Sequence, residues 1–92
     1  RYAPEARRRM HELVLAGARH QIMTARFYFE RKAYIACINR AKVVITDYQQ
    51  TPMRDEALQL LADSYHELGM LDLERDTRRI IEANKPAQMS MN

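Results

Sequence analysis

The chain has one cysteine, two glycines, three prolines and no tryptophan among its 92 residues. A lone Cys37 cannot form an intrachain disulfide, so cysteine usage leaves the redox compartment open. Few glycines and prolines leave long stretches without a breaker, and alternating strand-like runs are missing. The purely apolar runs are only a few residues long, so no segment can span a bilayer. Neither a signal peptide nor a lipidation motif is present. The chain opens on Arg1 rather than Met, which reads as a piece excised from a longer protein, and such a piece says nothing about where the parent resides. His11, His20 and His66 lack metal-ligand spacing, and Glu12, Glu30 and Glu67 read as solvated helix positions. No Ser/His/Asp order, glycine-rich phosphate loop or carboxylate pair is evident. The expectation is therefore a chain without catalytic residues, metal or cofactor.

What is abundant is helix-forming: Ala, Leu, Arg, Glu and Met dominate. The chain also nearly repeats itself at an offset of 37 residues. Ala25 and Tyr28 fall on Ala62 and Tyr65, Tyr34 on Leu71, Val44 on Ile81, and Gln49 on Pro86. A helical-hairpin unit of about this length is the signature of a tetratricopeptide (TPR) array. The expected fold is all-α, with TPR-like antiparallel hairpins stacked as a right-handed solenoid fragment behind a long first helix. Such arrays bind other chains with their faces.

The net charge is +3, unevenly distributed. Residues 1–32 hold eight Lys/Arg against three acids, and residues 33–92 hold seven against nine. The basic first helix can attract nucleic acid or an acidic protein surface, but its simplest reading is the solvated back of an amphipathic helix. Arg7, Arg8 and Arg9 span about 200° of a helix circumference, so they cannot all line one groove. No aromatic platform accompanies them, so nucleic acid is not an expected partner.

Pro4 suits a first helical turn, and Met10, Leu13, Val14, Gly17, Gln21, Ala25 and Tyr28 recur at spacings of three and four. A long helix is expected over 4–31. Gly17, on its apolar face, implies either close approach of a neighbour or a bend. The second helix, 33–48, buries Tyr34, Cys37, Ile38, Ala41, Val44, Ile45 and Tyr48. Thr51 caps and Pro52 opens a third, 52–68, with Ala57, Leu58, Leu61, Tyr65 and Leu68 inward and Gly69 at its C-terminal end. Asp72 caps a fourth, 72–84, with Leu73, Thr77, Ile80, Ile81 and Asn84 inward and Pro86 as its stop. These helices form one domain, 1–86, and residues 87–92 form a frayed tail. Ala25 and Ala62 admit a neighbouring helix while Tyr28 and Tyr65 fill the space beside them. Met10 and Met23 fit helix packing, although absent N-terminal repeats would leave Met10, Leu13 and Val14 as an exposed strip.

The string Ala33-Tyr34-Ile35-Ala36-Cys37-Ile38-Asn39-Arg40, with Tyr2-Ala3-Pro4-Glu5-Ala6 and Arg9-Met10 upstream and Asp47-Tyr48 and Asp55-Glu56-Ala57-Leu58 downstream, is more specific than a generic repeat. From Tyr2 to about Asn84 the chain resembles the C-terminal half of the BamD family of Gram-negative outer-membrane assembly lipoproteins. It departs from that pattern at Lys32, where Gly is common, at Gln49 and at Glu74. The resemblance implies an array of five TPR-like repeats at the periplasmic face of the outer membrane, held there by a lipid anchor outside this fragment. It also implies docking to the last POTRA domain of the barrel-forming subunit, with smaller accessory lipoproteins and unfolded outer-membrane protein substrates as further partners. In that family the Arg closing the motif contacts the POTRA partner, which carries over to Arg40. Arg31, Asn39, Asp47 and Tyr48 are secondary candidates, thought to lie at the same end, and Tyr48 is equally a core position. From spacing alone, Arg40 lies off the apolar stripe and either projects to a partner carboxylate or is salt-bridged within its own hairpin. An adaptor that holds a peptide in its concave groove is the alternative function.

Overall fold

The computed structural model of the chain describes residues 3–85 and contains four α-helices: α1 (Pro4–Glu30), α2 (Tyr34–Asp47), α3 (Met53–Glu67) and α4 (Leu71–Ala83). No strand occurs among the described residues. Successive helices pair as antiparallel hairpins, α1 also touches α3, and α4 packs on α3 alone. The result is an extended, all-helical, TPR-like body of 49 × 37 × 19 Å. Pro86 and the tail lie outside the described residues.

The 37-residue offset is reproduced in the backbone of the turns. After α1, Lys32 N–H donates to Phe29 and Ala33 N–H to Tyr28; after α3, Gly69 N–H donates to His66 and Met70 N–H to Tyr65. These are two Schellman turns, each reusing two orphan carbonyls of the preceding helix. Each requires a left-handed residue, and the φ values are +64° at Lys32 and +73° at Gly69. The Phe29 and Tyr34 rings meet edge to face across the first turn, 5.3 Å between centroids. Because the turns consume residues 31–33 and 68–70, the helix ends that flank them fall a residue away from those expected.

Two expected caps are absent. Pro52, not Thr51, holds the cap position of α3, and the Thr51 hydroxyl donates backwards to the Tyr48 carbonyl at 2.7 Å. It tethers the end of α2 instead. Met70 precedes α4, so Asp72 lies inside its first turn, where its carboxylate faces Arg75 at 3.5 Å. There it still complements the helix dipole.

The core joins Ile22 of α1, Ile38, Ala41 and Val44 of α2, and Ala57, Leu61 and Tyr65 of α3. Ala18, Ala25 and Ala62 are fully buried and let the helix backbones approach. The buried line of α1 is thus Ala18–Ile22–Ala25, centred about 80° around the helix from the expected stripe, which shares only Ala25 with it. Two neighbours, α2 and α3, share this helix, and the line they enclose runs between them. At Gly17 the Tyr48 ring lies on the backbone: a Cβ there would stand 2.7 Å from Tyr48 Oη. Close approach is therefore what the glycine permits. Met10, Leu13 and Val14 are exposed, as the strip reading required. α1 is about 40 Å long and α2 about 21 Å, so the first half of α1 runs past the end of α2.

Other expected core positions are corrected. Met23 is 60% exposed, because it lines an open groove between α1 and α3 instead of the closed core. Leu73 and Ile80 of α4 and Asn84 at its end are exposed as well, since α4 has one neighbour and can bury one line only, at Thr77, and Leu68 is exposed in the turn that ends α3. Tyr65 is buried whereas Tyr28 is half-buried, so the paired tyrosines are not equivalent.

Candidate partner-docking site

The seam between α1 and α2 carries two of the candidate residues, Arg40 and Tyr48. Cys37, Ile38, Ala41 and Val44 face the core, which turns Arg40 to the flank of α2 next to α1. There the guanidinium is half-buried, and one Nη1–H donates to Gln21 Oε1 at 3.2 Å. Among the described residues no carboxylate lies within ion-pair distance of Arg40. The salt-bridged alternative is therefore not what the hairpin supplies. It supplies a neutral amide, which holds the side chain and leaves the positive charge uncompensated.

Several other basic side chains are paired differently. Arg26 of α1 forms a two-pronged ion pair with Glu56 of α3 through Nε and Nη2. Arg78 of α4 bonds Glu74 at 2.8 Å and Asp63 of α3 at 3.1 Å, and Glu74 also receives His66 Nδ1 at 3.1 Å. The Arg78 guanidinium, then the His66 hydrogen bond, hold the Glu74 carboxyl below the usual carboxylate range. Glu74 thus links His66 of α3 to Arg78, which itself reaches Asp63, so the four side chains tie α4 to α3.

The secondary candidates do not converge at one end. Arg31 precedes α2 and Asp47 ends it, which separates them by about 20 Å along the helix. Arg31 is exposed and covers the Phe27 ring at 4.1 Å, a cation–π contact. Asn39 is exposed beside Arg40 but about 100° around the helix. Asp47 is exposed two turns beyond Arg40 on the same flank. Tyr48 is half-buried on Gly17, so it shapes the seam through packing. Arg40 and Tyr48 therefore share the α1-facing flank, with Asp47 at its open end, whereas Arg31 and Asn39 stand apart from it.

Gln21 is the residue that sequence reasoning missed as a site residue, having been placed among core-facing positions. It stands eleven residues before Lys32 and Arg40 eight after it. Antiparallel folding about that turn was the available signal, since a long Arg side chain can span the remaining turn of helix.

Cys37 is fully buried, and desolvation pushes its thiol up from the ordinary value. Among the described residues no three His, Cys, Asp or Glu side chains gather as a metal site, and no helix is long and apolar enough to cross a membrane. A separate groove of about 400 Å³ runs between α1 and α3, lined by Arg19, Ile22, Met23, Arg26 and Met53 among others.

Residues 1–80 match the family model YfiO, described as an outer membrane lipoprotein. The chain is 43% identical over 86 residues to the outer membrane protein assembly factor BamD of Neisseria meningitidis serogroup A, a match covering 94% of this chain and 32% of that protein. It is 38% identical over 84 residues to the Haemophilus influenzae factor of the same name, covering 91% and 32%. The Vibrio cholerae factor is 34% identical over 83 residues, covering 90% and 34%. The chain thus spans about a third of the length of these relatives.

Proposed function

The chain belongs to the YfiO family of outer membrane lipoproteins, and on that premise we propose that it is a docking segment for outer-membrane protein assembly. In this reading it works by binding alone, without turnover, and the α1–α2 seam receives the last POTRA domain of the barrel-forming subunit. Accessory lipoproteins and unfolded outer-membrane proteins are further partners of the parent protein, which sits at the periplasmic face of the membrane.

The observation that carries the reading is the state of Arg40: half-buried, fixed by a neutral acceptor and without an acid of its own. An uncompensated guanidinium on a rigid helix is pre-ordered for a carboxylate on another chain. Removing one member of such a desolvated pair costs about 2–5 kcal/mol. Relatives at 34–43% identity that are named assembly factors support the same role.

Calorimetric titration with the isolated POTRA domain tests it. Saturable binding that Arg40→Ala weakens by about tenfold or more, with helicity unchanged, is the expected result. Absence of binding by a folded chain, repeated with a chain of the relatives' full length, would sink the docking role. The adaptor alternative draws support from the α1–α3 groove. It predicts that Met23→Asp abolishes peptide binding while Arg40→Ala leaves it intact.

A further inference from the structure

We infer that Gln21 is a positioning residue for partner docking: its amide fixes Arg40 in the binding pose without neutralising it. The inference rests on the docking reading and adds the residue that prepares the contact. The Gln21 carbonyl occupies one of the five guanidinium donors. The remaining donors, and the whole charge, stay available to a carboxylate on the partner.

The internal repeat shows that the fold itself does not demand this polar pair. Displaced by 37 residues, Gln21 and Arg40 become Leu58 and Thr77. The second hairpin has the same Schellman turn, with both of its defining hydrogen bonds. Yet Leu58 is 2% exposed and Thr77 is 5% exposed, and the Thr77 hydroxyl is satisfied within its own helix by Leu73 at 2.8 Å. An aliphatic and a self-satisfied hydroxyl therefore serve where the seam has only to pack. The Gln–Arg pair of the first hairpin has a different duty.

The chemistry of an amide suits that duty. A Glu at position 21 would give the guanidinium a carboxylate of its own and satisfy it internally. An aliphatic side chain would leave it unheld, and the partner would then bear the entropy of ordering a long side chain. Only a neutral acceptor both holds the group and keeps it hungry for an anion.

The test is a double-mutant cycle of Gln21→Glu with Arg40→Ala, read by calorimetric titration with the POTRA domain. Gln21→Glu is expected to weaken binding about tenfold while the thermal midpoint holds or rises, because a new cross-helix ion pair forms. In the Arg40→Ala background the same change is expected to have no further effect. Gln21→Met, which keeps volume and loses the acceptor, is expected to weaken binding about threefold, within the cost of ordering one side chain, and keeps the inference testable should Gln21→Glu fold poorly. Full binding by both Gln21 variants, where Arg40→Ala is impaired, overturns the positioning role alone. An equal loss from Gln21→Glu with and without Arg40 also overturns it, since the effect would then bypass the guanidinium. If Arg40→Ala itself binds normally, the docking reading fails first.

Discussion

Replacing Lys32 by Gly is expected to stabilise the protein, although it removes a side chain and adds no contact. Lys32 sits at φ +64°, a conformation that costs an L-residue about 1–2 kcal/mol. Glycine removes that strain but adds about 0.5–1 kcal/mol of backbone freedom to the unfolded chain. The net gain is therefore about 0.5–1 kcal/mol, or a rise of roughly 2–8 °C in midpoint for a domain of this size. The Lys32 ammonium forms no ion pair among the described residues, so little opposes the gain. Gly69→Lys, the reverse change at the equivalent site, should lose a similar amount: its φ is +73° and a Cβ there meets nothing within 4 Å, leaving backbone strain as the sole cost. Urea denaturation followed by far-ultraviolet circular dichroism measures both, with the slope expected to stay constant. The turns are separate, so the double swap should come out near neutral. A Lys32→Gly midpoint equal to or below that of the parent, at unchanged slope, would refute the strain argument.

Tyr65→Ala should cost about 3–5 kcal/mol, because the ring is in the core, and Tyr28→Ala less than half as much, because its ring is half-buried; equal losses in urea melts would contradict the assigned burial. Glu74 has a depressed folded carboxyl, so its contribution is fully present above the ordinary carboxylate value and is lost as pH falls through the lower, folded value. Thermal midpoints between pH 7 and about pH 3 should accordingly fall less steeply for Glu74→Gln than for the parent. The buried Cys37 thiol, pushed up by desolvation, should react with iodoacetamide only through opening of the structure. Its labelling rate should rise with urea in step with the unfolded fraction, and rapid labelling in buffer would count against its burial.

The helices were legible because their apolar residues recur at helical spacing and because Gly69 and Pro52 mark breaks. Their inward faces were legible only where one stripe meets two flanking helices, as in α2 and most of α3. In α1 the apolar spacing follows Met10, Leu13 and Gly17, a line that serves the overhang and the Tyr48 contact, whereas the core takes Ala18 and Ile22. In α4 an amphipathic pattern says which residues are apolar but not that a single neighbour leaves Leu73 and Ile80 uncovered. Arg40 stood off the core stripe and could be picked out. Its Gln21 acceptor emerges only when the chain is folded back about the Lys32 turn, a long-range relation that helical spacing does not show. The left-handed Lys32 had two sequence signals, the Gly common at its place in the resembled family and Gly69 at the 37-residue offset, although Lys itself avoids that geometry.

α4 leans on α3 alone, while α1, α2 and α3 all touch one another. Opening α4 therefore breaks one interface and spares the other three. Its amides should exchange with solvent through a detachment that costs less than global unfolding, and the His66–Glu74 and Asp63–Arg78 contacts are among those it breaks. A ligand on the Arg40 seam raises the free energy of whole-molecule unfolding by mass action. It adds nothing to the detachment of α4, because the seam is equally intact before and after. Occupancy of the seam is thus thermodynamically silent at the far end of the molecule, and α4 can be captured or released there independently.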